Sequence, residues 1–337
     1  MDWKHAAEEL GVLIPKAHLH PRVLAWAGSE AARKGPWIVA FSGGADSLCL
    51  LLLLWAHWPE QRRRLVAAHF NHRLRGRESL ADAFFCRRVS RGLGIAHAEG
   101  IWEERPLKAS EAQAREARQA FFRTVLRRRR ARVLWTGHQL DDIAETMLMR
   151  LARGSGSAGL SAPRPVQRMP DGVTLLRPLS GLSKAAVSKF LLQVGASWRE
   201  DSSNATGLYF RNRVRSEVLP AWCASAEGRD ALAGAALSRE WLEEDDEALN
   251  AWLASLEVLG PGPVLELGPL LDKPRALVRR ALHQWLGATV YRGDLSRQGF
   301  EQLLDACASG RSTRFSLGRE GFALIRRKVL AFEHAGA

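Results

Sequence analysis

The sequence predicts an α/β protein: a doubly wound, mainly parallel sheet followed by a smaller, mostly helical C-terminal domain. Three observations carry this reading. Short apolar runs alternate with helical stretches from Trp37 to Leu151, the pattern of strands crossed by helices. A glycine-rich turn, Ser42-Gly43-Gly44, joins one apolar run to a strongly apolar helical stretch. The length, 337 residues, suits two domains rather than one.

Trp37 to Phe41 is the first apolar strand, and a helix follows from about Ala45 to His57. Leu65 to Phe70 reads as the second strand, then a basic loop, then a helix near Ser79 to Gly92. Ile95 to Trp102 is the third strand, and Ser110 to Arg130 is a long helix with Ser110 as its N-cap. Arg132 to Thr136 is the fourth strand, followed by a helix from about Leu140 to Leu151. Gly154 to Pro165 is too rich in Gly, Ser and Pro for regular structure and reads as a loop. Helices are expected near 183–194 and 212–219, with the polar stretch Asp201 to Thr206 between them. The first domain is expected to span 1–219 and the second 229–337, with a linker at about 220–228. Helical patterns follow near 229–256, 274–286 and 296–308, then strand-like pieces at 313–317 and 322–325. The acid run Glu243 to Glu247 reads as a solvated helix face.

Composition narrows the function classes. Hydrophobic residues make up 46% and charged residues 25%, which excludes a mostly disordered chain. The longest apolar run, Leu48 to Ala56, is about half a membrane span, and the first residues show no signal-peptide pattern. Cys49, Cys86, Cys223 and Cys307 are scattered without a CxxC pair, so a disulfide framework and a zinc knuckle lack support. The expected setting is cytoplasmic, with no membrane contact. The formal net charge of +13 is uneven. Residues 1–217 carry 35 Lys+Arg against 20 Asp+Glu, and the remainder 14 against 16. Such a field on one region attracts a polyanion. An arginine-favouring composition explains the choice of Arg over Lys, but not the excess of bases over acids.

Three segments carry chemistry, and a doubly wound sheet would bring them together at the carboxyl ends of its strands. In Ser42-Gly43-Gly44-Ala45-Asp46-Ser47, two glycines let the backbone approach an anion, and the helix start offers free N–H groups. Asp46 would repel phosphate unless it serves through a hard divalent cation. No GxxxxGK[ST] is present, so a Walker-type site is excluded. In Gly137-His138-Gln139-Leu140-Asp141-Asp142-Ile143-Ala144-Glu145, helical spacing puts His138, Asp141, Asp142 and Glu145 on one side, opposite an apolar face. That cluster suits Mg²⁺ or a substrate ammonium group. His69 to Ser79 (HFNHRLRGRES) sets two histidines and three arginines at a strand end, where they suit a phosphate or RNA backbone.

SGGADS resembles the PP-loop of the N-type ATP pyrophosphatases, which cleave ATP to AMP and pyrophosphate while adenylating a substrate. HFNHRLRGRES, GHQLDDIAETMLMRLARGSGSAGL and EDSSNATGLYFRNRVRSEVLP narrow the resemblance to the tRNA(Ile)-lysidine synthetase family, in order from about Trp37 to Pro220. The resemblance implies ATP-dependent attachment of free L-lysine to the wobble cytidine of the CAU-anticodon tRNA(Ile), through an adenylated tRNA. It implies that Ser42, Gly43, Gly44, Ala45, Asp46 and Ser47 bind ATP, and that Asp46 and Asp142 hold Mg²⁺. Asp46, His138, Asp142, Glu145 and Arg118 are then the candidate catalytic residues, with Asp142, Glu145 or His138 able to take the lysine proton. His72, Arg73, Arg75, Arg211, Arg213 and Arg215 are the candidate tRNA contacts. Arg118 lies in an AREAR segment matching the family's ARxxR pattern, although Gln119 stands where the family usually has Tyr. Ser161-Ala162-Pro163 likewise replaces a common Gly-Met. From its length the chain is not expected to carry the further C-terminal domain that some members have, and a homodimer is left open.

Three other readings compete. A PP-loop tRNA 2-thiolating enzyme shares the adenylation but relies on cysteine pairs, and no two cysteines here are close in sequence. A small-metabolite adenylating ligase does not need so broad a basic surface. A non-enzymatic RNA-binding protein gives no reason for SGGADS beside an acid cluster.

Overall fold

The computed structural model describes residues 1–73, 76–103, 106, 110–200, 210–289 and 295–335. The chain divides into two compact units, Met1–Glu243 and Glu244–Ala337. The segment 220–228, expected as a linker, lies within the first unit, and Leu219–Ala224 is helical. Arg75 and the polar stretch 201–206 lie outside the described residues.

The first unit opens with two helices the sequence reading left unassigned, α1 (Trp3–Leu13) and α2 (Pro21–Gly28). Asp2 caps α1 by accepting from the amides of Lys4 and His5 at 3.0 and 3.3 Å. Then come β1 (Trp37–Ala40), α3 (Ala45–His57), β2 (Leu65–Asn71), α4 (Arg77–Leu93), β3 (Ala96–Ile101), α5 (Glu111–Arg128), β4 (Val133–Trp135) and α6 (Leu140–Leu151). One helical turn, α7 (Ser157–Leu160), interrupts the stretch expected to be all loop. The short strands β5 (Val166–Arg168) and β6 (Thr174–Leu176) and the helix α8 (Lys184–Gln193) follow. Helix α9 (Phe210–Arg213) runs through a π-turn at Val214–Val218 into α10 (Leu219–Ala224), and α11 (Ala231–Ser255) crosses the division between the units.

The six strands lie in the order β3-β2-β1-β4-β6-β5. All neighbours are parallel except β5, which runs antiparallel to β6. Strand order reverses between β1 and β4, where doubly wound sheets bind ligands beyond the carboxyl ends. Helix α3 is apolar all round because it is covered all round: Leu48 through Leu54 are at most 1% exposed. It packs with Ala7 and Leu10 of α1 and with Val187 and Leu191 of α8 in the main core. Its buried seat holds the preceding loop rigidly.

The second unit contains the end of α11, β7 (Val264–Glu266), α12 (Arg275–Ala288), α13 (Arg297–Ser309), β8 (Thr313–Ser316), β9 (Gly321–Arg326) and β10 (Val329–His334). Its strands form an antiparallel sheet in the order β7-β10-β9-β8, of which the sequence reading anticipated only β8 and β9. The acid run on α11 is solvated at Glu244, Asp245 and Glu247 but not along its whole length. Glu243 and Asp246 are 1% and 2% exposed, because Glu243 is paired to Arg239 and Arg22 and Asp246 to Arg280. Buried carboxylates persist only with such partners.

Candidate functional site

The loop between β1 and α3 is built around its own hydroxyls. Ser47 Oγ donates to the Gly44 carbonyl at 3.0 Å, and Ser42 Oγ accepts from the Gly44 amide at 3.3 Å. The two hydroxyls stand 3.0 Å apart. Gly43 has φ of +89°, a conformation glycine adopts without a Cβ penalty. Arg199 clamps the loop from outside: its amide donates to the Gly43 carbonyl at 2.9 Å, and its Nε donates to Asp82 of α4 at 2.7 Å. Nothing in the local sequence pattern marks Arg199 or Asp82, which are far apart in sequence. Gly137, at the end of β4, closes on the start of α3. A Cβ there would sit 2.7 Å from the Asp46 carbonyl oxygen. Ala45 begins α3.

Asp46 projects from the first turn of α3 toward the acids of α6. Burial, and then the charge of Asp142, push its carboxyl up to about 6. Its Oδ1 is buried and has no hydrogen-bond partner. A buried, orphaned carboxylate oxygen beside a second carboxylate fits a hard cation that takes its other ligands from phosphate and water. Among the described residues no group of three or more His, Cys, Asp or Glu forms a self-sufficient metal site.

Replacing Asp46 with Asn is expected to raise the stability of the ligand-free protein by up to about 3 kcal/mol at pH 7. The sign follows from the proton. The folded carboxyl keeps its proton to about pH 6, whereas the unfolded one loses it near 4. Wild-type stability therefore falls as pH rises from about 4 to 6, and the Asn variant gains over that window. Denaturant melts at pH 4 and 7 check this; equal gains at both would show that the carboxylate is not the cause.

On α6 the acids divide by role. Asp141 accepts from the Lys184 amide at 2.9 Å and so caps α8 rather than joining the cluster. Asp142 Oδ2 accepts from the Gln139 amide at 3.1 Å, within a capping box. Glu145 is 1% exposed. His138 precedes the helix, which starts at Leu140, so the helical wheel did not place it. Its Nδ1 lies 3.0 Å from Thr136 Oγ1 and accepts from Arg177 Nε at 3.3 Å. Burial, then the charges of Arg177, Arg211, Arg118 and Arg115, push the imidazole well below its usual range.

The three arginines at 211, 213 and 215 part company. Arg211 and Arg215 share a helical face and turn inward onto the acids. Arg211 donates to Asp142 at 2.7 Å and to Glu145 at 3.0 Å. Arg215 grips Glu145 with Nε and Nη2 at 2.5 and 3.0 Å and reaches Asp142 at 3.4 Å. Both are thus engaged at the acid site, with side chains 31% and 28% exposed. Arg213 is exposed. His72 stacks edge-on against Phe70 and Trp102 at the end of β2, with Arg73 exposed beside it. Arg118 is exposed on α5, within electrostatic reach of His138.

The PP-loop domain family matches residues 17–222. A tRNA(Ile)-lysidine synthase of Pseudomonas syringae pv. tomato is 35% identical over 310 residues, covering 88% of this chain and 68% of that protein. One from Geobacter sulfurreducens is 36% identical over 282 residues, covering 79% of this chain and 57% of that protein. The chain therefore spans between about half and two thirds of the length of the curated relatives it matches. Among solved structures, a U34-tRNA thiolase from Methanococcus maripaludis superposes with a TM-score of 0.54 at 18% identity, over 69% of this chain and 78% of that one. This likeness speaks for the fold alone. No helix among the described residues is long and apolar enough to cross a membrane. With the glycine-rich loop at the switch point, the acid pair facing it and relatives matching along most of its length, this chain belongs to the PP-loop family and, within it, to the tRNA(Ile)-lysidine synthases.

Proposed function

We propose that the protein ligates free lysine to C2 of the wobble cytidine of the CAU-anticodon tRNA(Ile), consuming ATP and releasing AMP and pyrophosphate. The observation that carries the reading is the seating of SGGADS directly against Gly137, so that Asp46 and the Asp142/Glu145 pair face one another across the switch point. The cytosine C2 oxygen attacks the α-phosphorus, and pyrophosphate leaves into the cradle formed by Ser42, Gly43, Gly44, Ala45 and Ser47. Asp46 is the residue best placed to hold Mg²⁺, which when bound offsets phosphate charge. Asp142 joins it only on releasing an arginine, since both its oxygens are engaged. The lysine ε-amine then attacks C2, the C2–O bond breaks, and AMP departs with the oxygen. Asp142 and Glu145 suit both the ammonium group of lysine and the proton it must lose.

Incorporation of labelled lysine into an unmodified CAU-anticodon tRNA(Ile) transcript, with and without ATP, tests this. ATP-dependent labelling lost in Asp46→Ala and Glu145→Ala is the expected result. Pyrophosphate release without lysine incorporation would keep the adenylation and overturn the ligation. The sulfur-transfer alternative finds little support in the thiols. Cys49, Cys86 and Cys307 are buried, and burial holds their thiols far above the ordinary range.

The second unit, within the C-terminal region from about 229, is proposed to hold the tRNA body. Its β9–β10 hairpin ends in Arg326, Arg327 and Lys328, and the last two form an exposed turn with φ of 49° and 62°. Reversing Arg327 and Lys328 to Glu is expected to weaken tRNA binding about tenfold and lower the salt slope by about two. Unchanged affinity would remove this role.

A further inference from the structure

Arg177 follows β6 directly and is 7% exposed. Among the described residues it forms no ion pair with a carboxylate. Its Nη1 donates to the Arg164 carbonyl at 2.6 Å, and the Ser180 hydroxyl donates to the Arg177 carbonyl at 2.6 Å. A buried guanidinium without an acid partner is costly, so its placement asks for a reason. The reason lies at its Nε, which donates to His138 Nδ1 at 3.3 Å.

A guanidinium nitrogen donates and never accepts. Nδ1 must therefore present its lone pair, and the ring proton must sit on Nε2. Thr136 agrees with this assignment. Its hydroxyl, 3.0 Å from Nδ1, is placed to donate its single proton there, and the Leu176 carbonyl at 3.4 Å is the more distant acceptor. Nε2 takes no hydrogen-bond partner among the described residues and is not sealed off. The charges that act most strongly on the ring are cationic: Arg177 after β6, Arg211 on α9, and Arg115 and Arg118 on α5. An imidazolium formed there would be a fifth positive charge in the cluster. A ring N–H pointing out of the same cluster is well placed to meet an oxygen that bears negative charge.

We propose that Arg177 is a positioning residue that fixes His138 as the Nε2–H tautomer, making His138 a hydrogen-bond donor to a nucleotide oxygen and not the base that deprotonates lysine. The oxygen is the one joining the cytosine to the adenylyl phosphorus, on which negative charge develops as AMP leaves. That last step rests on the lysine-ligation reading; the tautomer does not. The proton from the amine then goes to the Asp142/Glu145 pair.

The deciding experiment is ¹⁵N NMR of the full chain labelled at histidine, with His138 assigned from its missing signals in His138→Gln. The expected spectrum shows an unprotonated Nδ1 and a protonated Nε2, unchanged from pH 8 to below pH 6. In Arg177→Met the ring becomes a tautomer mixture and titrates at higher pH, whereas Thr136→Val leaves the wild-type pattern. A protonated Nδ1 in the wild type overturns the proposal, and so does a tautomer lost in Thr136→Val. Kinetics supply the second readout. Gln keeps an N–H donor but has no basic nitrogen, so His138→Gln should hold lysine attachment within about tenfold of wild type. His138→Ala should lose on the order of 10²-fold, as when an oxyanion donor is removed. Equal losses in the two variants would make His138 a base after all. If no lysine is incorporated by the wild type, the ligation reading fails while the NMR result still decides the tautomer.

Discussion

Gly137→Ala is expected to lower the kcat/KM of ATP-dependent pyrophosphate release on the order of 10²-fold, the effect of moving a reacting group by about 1 Å. The methyl group has nowhere to go. It would stand 2.7 Å from the Asp46 carbonyl oxygen, 2.9 Å from its carbonyl carbon and 3.1 Å from the Ser47 amide nitrogen. All three are main-chain atoms, so no side chain can rotate aside, and α3 is locked by its buried leucines. The start of α3 and the end of β4 must separate, and with them the phosphate cradle and the acid pair. Overpacking of this kind also costs about 1–3 kcal/mol of stability. Gly44→Ala is the contrast: its nearest neighbour would be Ser42 Oγ at 3.5 Å, which is ordinary contact. Paired melts and pyrophosphate assays on both variants check the argument. Activity within threefold of wild type in Gly137→Ala would show that this contact does not set the spacing.

What was legible in the sequence follows from how local each cause is. β1 and α3 are written in an unbroken apolar sequence because both are buried on all sides, and SGGADS shows in one line because turn, cradle and helix start are consecutive. The three-residue strands β5 and β6 leave no period to detect, and β6 is held by its register with β4. Arg199 and Arg177 escaped for a related reason. Each acts on a group distant in sequence, Asp82 and His138, and neither lies in a periodic pattern. The acid run on α11 departs from a solvated face at two of its five positions because charge in sequence signals exposure only on average. Glu243 and Asp246 are buried because arginines from other segments come to meet them. Arg211, Arg213 and Arg215 looked like one basic patch for the same reason: their spacing was visible and their partners on α6 were not.

Those partners set the second large effect. Arg211→Met with Arg215→Met is expected to destabilise the protein by about 3 kcal/mol at pH 7, the lower end for breaking buried pairs because both guanidinium groups keep some exposure. Glu145 is 1% exposed, and the bidentate grip of Arg215 with the single contact of Arg211 satisfies both its oxygens. Without them a buried carboxylate stands uncompensated. Adding Glu145→Gln to the double variant should restore most of the loss, since the amide carries no charge to desolvate. Failure of that rescue would place the cost in lost arginine packing instead. The same variant reports on the ligand. If the acid pair receives a lysine ammonium group, free lysine replaces the missing cations and raises the melting temperature of the double variant. At about one hundred times its Kd the gain is about 2.7 kcal/mol. Norleucine, which has the length but not the charge, should give none. In the wild type the arginines already occupy Asp142 and Glu145, so lysine must displace contacts as strong as those it forms. Its stabilising effect there should be smaller, and an equal shift in both proteins would mean that lysine binds elsewhere.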